Sequence, residues 1–66
     1  MLIKKSITIK RHRTSVSLEK EFWDALNIIS KEKKNSVEKL IFNIDTNRES
    51  SLASSIRVFI LQYFLK

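Results

Sequence analysis

Five cations stand in the first thirteen residues, Lys4, Lys5, Lys10, Arg11 and Arg13, and no acid stands among them. The rest of the chain holds eight basic and seven acidic groups, so the net charge of +6 is concentrated at one end. A basic block of this kind attracts a polyanion, either a nucleic acid or an anionic membrane surface. Its plainer reading is a solvated tail that aids solubility.

Reaction chemistry finds less to work with. Glu21, Asp24 and Glu38 are acids, but no nucleophile, Gly-rich loop or metal-ligand spacing accompanies them. His12 is the single histidine, and alone it cannot hold a structural zinc. The chain has no cysteine, which excludes a disulfide and a thiolate metal site. These residues imply no enzyme, no metal and no cofactor. Trp23, next to Phe22, reads as core or dimer packing rather than as a platform for stacked bases.

Something must position the cations. With 66 residues the chain is one domain, 1–66. A domain this small buries only about 60% of its unfolded surface. Such domains are marginal alone and use disulfides, metals or oligomerisation to gain stability. Hydrophobic residues make up 42%, an ordinary globular fraction. With the first two routes closed, oligomerisation is the expected one.

No secretory signal is expected, because Lys4 and Lys5 follow Met1-Leu2-Ile3 at once and leave no apolar region. The longest apolar stretch, Val58 to Leu65, is interrupted by Gln62 and falls far short of the ~20 residues a membrane span needs. No membrane span is expected. The lack of cysteine agrees with a cytoplasmic location.

Gly and Pro are both absent, so the strongest turn signals are missing. Ser6-Ile7-Thr8-Ile9-Lys10 alternates with period two, and so does Thr14-Ser15-Val16-Ser17-Leu18. The two runs are out of phase, which puts a bend or bulge in Arg11-His12-Arg13. Residues 13–18 read as a strand. Residues 1–12 read as a basic arm or as further extended strand, and the alternation leaves both open for 5–10.

A first helix is predicted over 19–34, with Phe22, Leu26 and Ile29 on one side. Lys31, Lys33 and Lys34 load its last turn, as the helix dipole favours. Asn35 is expected to take the left-handed conformation that ends it. A second helix over 36–46 is capped by Asn35 or Ser36 and carries Val37, Leu40, Ile41 and Ile44 as one stripe. A third over 51–64 starts at Ser50 or Ser51. It is apolar over too much of its circumference for a solvated helix. A lone strand leaves both backbone edges unpaired. The economical solution is the same strand from a second copy, antiparallel across a two-fold axis.

The stretch Arg13-Thr14-Ser15-Val16-Ser17-Leu18-Glu19, with Phe22-Trp23 and Leu26 after it, resembles the opening of a bacterial subfamily of ribbon-helix-helix domains. Its pattern there is R-T-S-x-S-L-E-x-x-F-W-x-x-L. Asn35-Ser36-Val37, Ile44-Asp45 and Leu52 to Phe59 resemble that subfamily's later helices. The resemblance covers roughly residues 5–64. It implies a mainly α fold with one short strand: an intertwined, Arc-like homodimer with an intermolecular two-stranded antiparallel ribbon, plus an extra C-terminal helix.

It also implies a mechanism, a ribbon that enters the major groove of duplex DNA. The apolar members of the alternation, Val16 and Leu18, then face the helices. Arg13, Ser15 and Ser17 point outward to read base edges. Lys4, Lys5, Lys10 and Arg11 are expected to contact phosphates. So is the start of the second helix, Asn35, Ser36 and Val37, where backbone N–H groups and the dipole favour an anion. The expected dimer core is Val16, Leu18, Phe22, Leu26, Ile29, Leu40, Ile41 and Ile44. The outer face departs from better-known repressors in offering small serines.

The expected function is that of a homodimeric DNA-binding protein, a transcriptional regulator or antitoxin-like autoregulator. The rivals are a protein–protein interaction module of the same fold, and attachment to an anionic membrane through the arm. The third helix has two readings: core extension with dimer burial, or a docking surface for a different protein.

Overall fold

The structure is a computed structural model that describes residues 1–65. Its elements are β1 (Leu2–Ile9), β2 (His12–Glu19), α1 (Lys20–Lys33), α2 (Val37–Asn47) and α3 (Leu52–Phe64). β1 and β2 form a two-stranded antiparallel sheet within one chain. The single strand expected from the sequence is therefore two. Residues 2–9 pair with β2 directly, in a register that runs from Leu2–Glu19 to Ile9–His12.

The hairpin was hidden because its turn uses neither Gly nor Asn. Lys10 and Arg11 form a two-residue connection with φ of 51° and 68°. Two-residue hairpin turns with both central residues left-handed match the twist of the strands, and Asn-Gly is their usual sequence. A side chain with a Cβ pays for that conformation with strain, on the order of 1 kcal/mol or more per residue. The bend thus lies at Lys10-Arg11, one residue earlier than expected, and His12 already belongs to β2. This turn also resolves the phase conflict. Odd residues of β1 pair with even residues of β2, so Ile7, Ile9, Val16 and Leu18 all face the helices and are buried.

α1 begins after Glu19, whose side chain makes no cap bond. Lys34, not Asn35, takes the left-handed position at its end (φ 56°). The Lys34 N–H donates to the Lys31 carbonyl at 3.3 Å and the Asn35 N–H to the Ser30 carbonyl at 3.0 Å, which satisfies two terminal acceptors. Ser36 caps α2, its hydroxyl accepting from the Lys39 N–H at 3.1 Å. Ser51 caps α3 in the same way, accepting from the Ser54 N–H at 3.2 Å.

The three helices lie against one face of the hairpin and close a core within the chain. Val16, Leu18, Leu26, Ile29, Leu40 and Ile41 are buried there, joined by Trp23, Ile56 and Ile60. Phe22 and Ile44 are only partly buried. Trp23 takes the buried place that the stripe reading gave to Phe22. The reason is β1: folded over α1, it offers the Ile3 carbonyl, which accepts from the Trp23 indole N–H at 2.8 Å. Ile56 and Ile60 of α3 complete the same core. Val58, Leu61 and Phe64 on the other side of α3, and Leu65 just past its end, are exposed.

Candidate nucleic-acid interface

Pleating sends alternate side chains to opposite faces. Ile7, Ile9, Val16 and Leu18 point at the helices, and their cross-strand partners and same-phase neighbours Ile3, Lys5, His12 and Thr14 share that side, so the alternate residues point away. The register then sets the outer face as cross-strand pairs: Lys4 opposite Ser17, Ser6 opposite Ser15, and Thr8 opposite Arg13. Lys4, Ser6, Thr8, Arg13 and Ser15 are exposed and Ser17 is half-buried. Leu2 and Glu19 end the face on the side away from the turn.

The outward residues expected from β2, Arg13, Ser15 and Ser17, thus share one surface. Ser6 and Thr8 join them, and sequence reasoning missed both. The signal was present, because they are the polar members of the alternation in Ser6-Ile7-Thr8-Ile9. They were passed over because residues 5–10 were not assigned to the ribbon.

The cations divide. Lys4 lies on the outer face. Lys5 lies on the helix side of β1, its ammonium 5.0 Å from the centre of the Trp23 ring. Lys10 leaves the turn toward α2 and sits 5.5 Å from the Phe42 ring, which Lys39 also approaches at 5.6 Å. Arg11 is exposed at the hairpin tip. These contacts are cation–π in kind and leave the charged heads in reach of solvent.

The three residues named at the start of α2 also separate. Ser36 is committed to the cap and lines a shallow cleft with Thr8, Lys10, Glu38 and Lys39. Glu38 brings a negative charge to that cleft. Val37 packs against the core. Asn35 faces a different groove, between α2 and α3. Its carbonyl accepts from the Ser30 hydroxyl at 2.5 Å. The outer face and the α2 terminus are therefore two places, with Lys10 between them.

One ion pair fixes the far end of the ribbon. Arg57 of α3 reaches Glu19 at 3.0 Å and lies 5.8 Å from the Phe22 ring. The Glu19 carboxyl is held below its ordinary value, first by a backbone hydrogen bond at Glu19 itself and then by Arg57. Among the described residues there is no cluster of three or more potential metal ligands. No helix among them is long and apolar enough to cross a membrane.

The structure has an antiparallel two-stranded sheet within one chain, polar on the outside and braced by three helices, where the resemblance implied a ribbon shared between two copies. The family model for the ribbon-helix-helix domain matches residues 2–64. The chain belongs to the ribbon-helix-helix family. Domains of this family are non-enzymatic, DNA-binding folds that form homodimers and typically act as regulators. No curated protein and no solved structure matches this chain.

Proposed function

We propose that this ribbon-helix-helix chain is a DNA-binding regulator that lays the outer face of its hairpin in the major groove. The observation that carries the reading is the outer face itself. It presents Lys4, Ser6, Thr8, Arg13, Ser15 and Ser17 on one surface, backed by helices on the other. Two strands lie about 4.8 Å apart. With their side chains they suit a groove about 12 Å wide, which admits a two-stranded ribbon.

The roles follow from the chemistry of each side chain. Arg13 offers a planar fork to guanine O6 and N7. Ser6, Thr8, Ser15 and Ser17 carry hydroxyls that serve either donors or acceptors. Lys4, Lys5, Lys10 and Arg11 supply phosphate contacts, which add affinity without sequence information. At the α2 terminus, backbone N–H groups near Ser36 add an anion contact, without Asn35, which faces another groove, and without the side chain of Val37, which packs in the core. The protein works in the cytoplasm as a homodimer and represses its own or another promoter, in the manner of an antitoxin or a free-standing regulator.

A second reading, an interaction module that docks a different protein through α3, is favoured by one observation: Val58, Leu61 and Phe64 are exposed on that helix, with Leu65 just past its end. Methylation interference separates the two. Methyl groups on guanine N7 fill the major groove, and those on adenine N3 fill the minor groove. The DNA reading expects bound duplexes to be depleted in the former and indifferent to the latter. Indifference to both sinks the major-groove reading and favours the module.

A further inference from the structure

We propose that the groove between α2 and α3 binds an extended, uncharged peptide segment of a partner protein. The groove has a volume of about 770 Å³, within the range of ligand sites. Its apolar lining comes from Leu40 and Ile44 of α2 and from Val58 and Phe59 of α3. Carboxamides stand on both walls, Asn43 and Asn47 on α2 and Gln62 on α3. Charge is nearly balanced there. Arg48 is held by the Asp45 carboxylate at 2.7 Å and donates to the Ser50 carbonyl at 2.8 Å. Lys33 lies 5.6 Å from the Tyr63 ring, and Glu49 adds an acid. The groove thus offers little to an anion, unlike the cations of the ribbon.

The carboxamides say what kind of chain fits. A carboxamide both donates and accepts, as a peptide unit does. Asn47 donates to the Asn43 carbonyl at 3.2 Å, which leaves its side-chain oxygen as an acceptor. Among the described residues, no hydrogen bond within the chain engages the side-chain amides of Asn43 and Gln62. Asn43 and Asn47 are four residues apart on α2, ~6 Å along the axis. An extended chain repeats the backbone groups of one side every two residues, ~6.7 Å. The two spacings agree, so same-side peptide groups of one strand reach both Asn residues, while Gln62 meets its other edge. A helical partner has these groups paired within itself and gains nothing from the match. From Leu40 to Asn47 the wall is ~10 Å long, room for about three extended residues. One apolar side chain of the segment then sits among Ile44, Val58 and Phe59. No strand residue lines the groove, so it is separate from the ribbon's outer face. Of the exposed residues Val58, Leu61 and Phe64, only Val58 lines it. Peptide binding here therefore stands or fails apart from both readings above.

The probe is a library of random ten-residue peptides, selected against the full chain. The selected peptides are expected to be uncharged and to share one apolar position. Titrating the best of them into isotope-labelled protein is expected to shift the side-chain amide signals of Asn43, Asn47 and Gln62. Methylating its backbone nitrogens one at a time is expected to weaken binding at alternate positions, at least about tenfold each. Asn43→Ala with Gln62→Ala is expected to weaken binding by a similar factor. Both residues are exposed, so the thermal midpoint of this variant is expected to stay in place. The wild-type signals and the methylated peptides decide the matter if that variant unfolds. Three results overturn the proposal: no peptide selected by the folded chain, a peptide that leaves the three amide signals unmoved, or a peptide bound as a helix and indifferent to methylation at alternate positions.

Discussion

The Arg57 guanidinium lies 3.0 Å from the Glu19 carboxylate, across 38 positions of sequence. Glu19 ends the ribbon and immediately precedes α1, while Arg57 comes from the middle of α3. The pair ties the third helix to the end of the ribbon's outer face. It also has a signature in pH. A carboxyl held below its ordinary 4.5 in the folded state contributes stability that is full above that value. The contribution is lost as pH falls through the lower, folded value. Glu19→Gln is therefore expected to flatten the fall in urea midpoint between about pH 6 and about pH 3. An unchanged slope would show that Glu19 does not contribute.

The hairpin turn gives a stabilising change. Lys10→Asn with Arg11→Gly places residues that accept left-handed backbone where lysine and arginine now hold it. The unfolding free energy of the monomer is expected to rise by roughly 1–2 kcal/mol, read from urea titration. A loss of stability would mean that the native turn is not of this type.

The two sides of α3 predict opposite sensitivity. Ile56 is fully buried and Leu61 is half exposed. Ile56→Ala is expected to cost about 2–5 kcal/mol, enough to unfold a domain of this size. Leu61→Ala should stay within about 0.5 kcal/mol in the monomer. Equal effects of the two changes in thermal melts would contradict the placement of α3.

The proposed DNA contact of the outer face gives a prediction on affinity. Arg13→Ala is expected to weaken binding to a preferred duplex by ~1–3 kcal/mol and to relax selection at one base pair. Arg11→Ala, at the tip, is expected to weaken binding evenly across sequences and to lower its salt dependence. Titration of both variants against matched and mismatched duplexes checks each claim.

Much of this was legible in residue pattern, and the failures have physical causes. Period-two alternation revealed the extended segments and the orientation of Val16 and Leu18 against Arg13, Ser15 and Ser17. The conflict of phase between Ile7-Ile9 and Val16-Leu18 was seen too, but its cause was not. A left-handed turn at Lys10-Arg11 leaves no mark when neither residue is Gly or Asn, so a hairpin within one chain read as a strand awaiting a partner. The same blindness moved the end of α1, where Lys34 takes the left-handed position. Trp23 reads from sequence as core or dimer packing, but its hydrogen bond to the Ile3 carbonyl has no sequence signal, because residues 1–12 are left open between arm and strand. Ser6 and Thr8 were lost to the site for that reason as well. Contacts between distant elements, such as Glu19 with Arg57, have no local signal at all.

The central claim, that the outer face of the ribbon reads duplex DNA, is tested most directly by selecting bound duplexes from a random pool at near-physiological salt. The expected result is enrichment of a short motif containing guanine, with the enrichment lost for Arg13→Ala. Salt-sensitive binding with no motif, the same for both proteins, would contradict it.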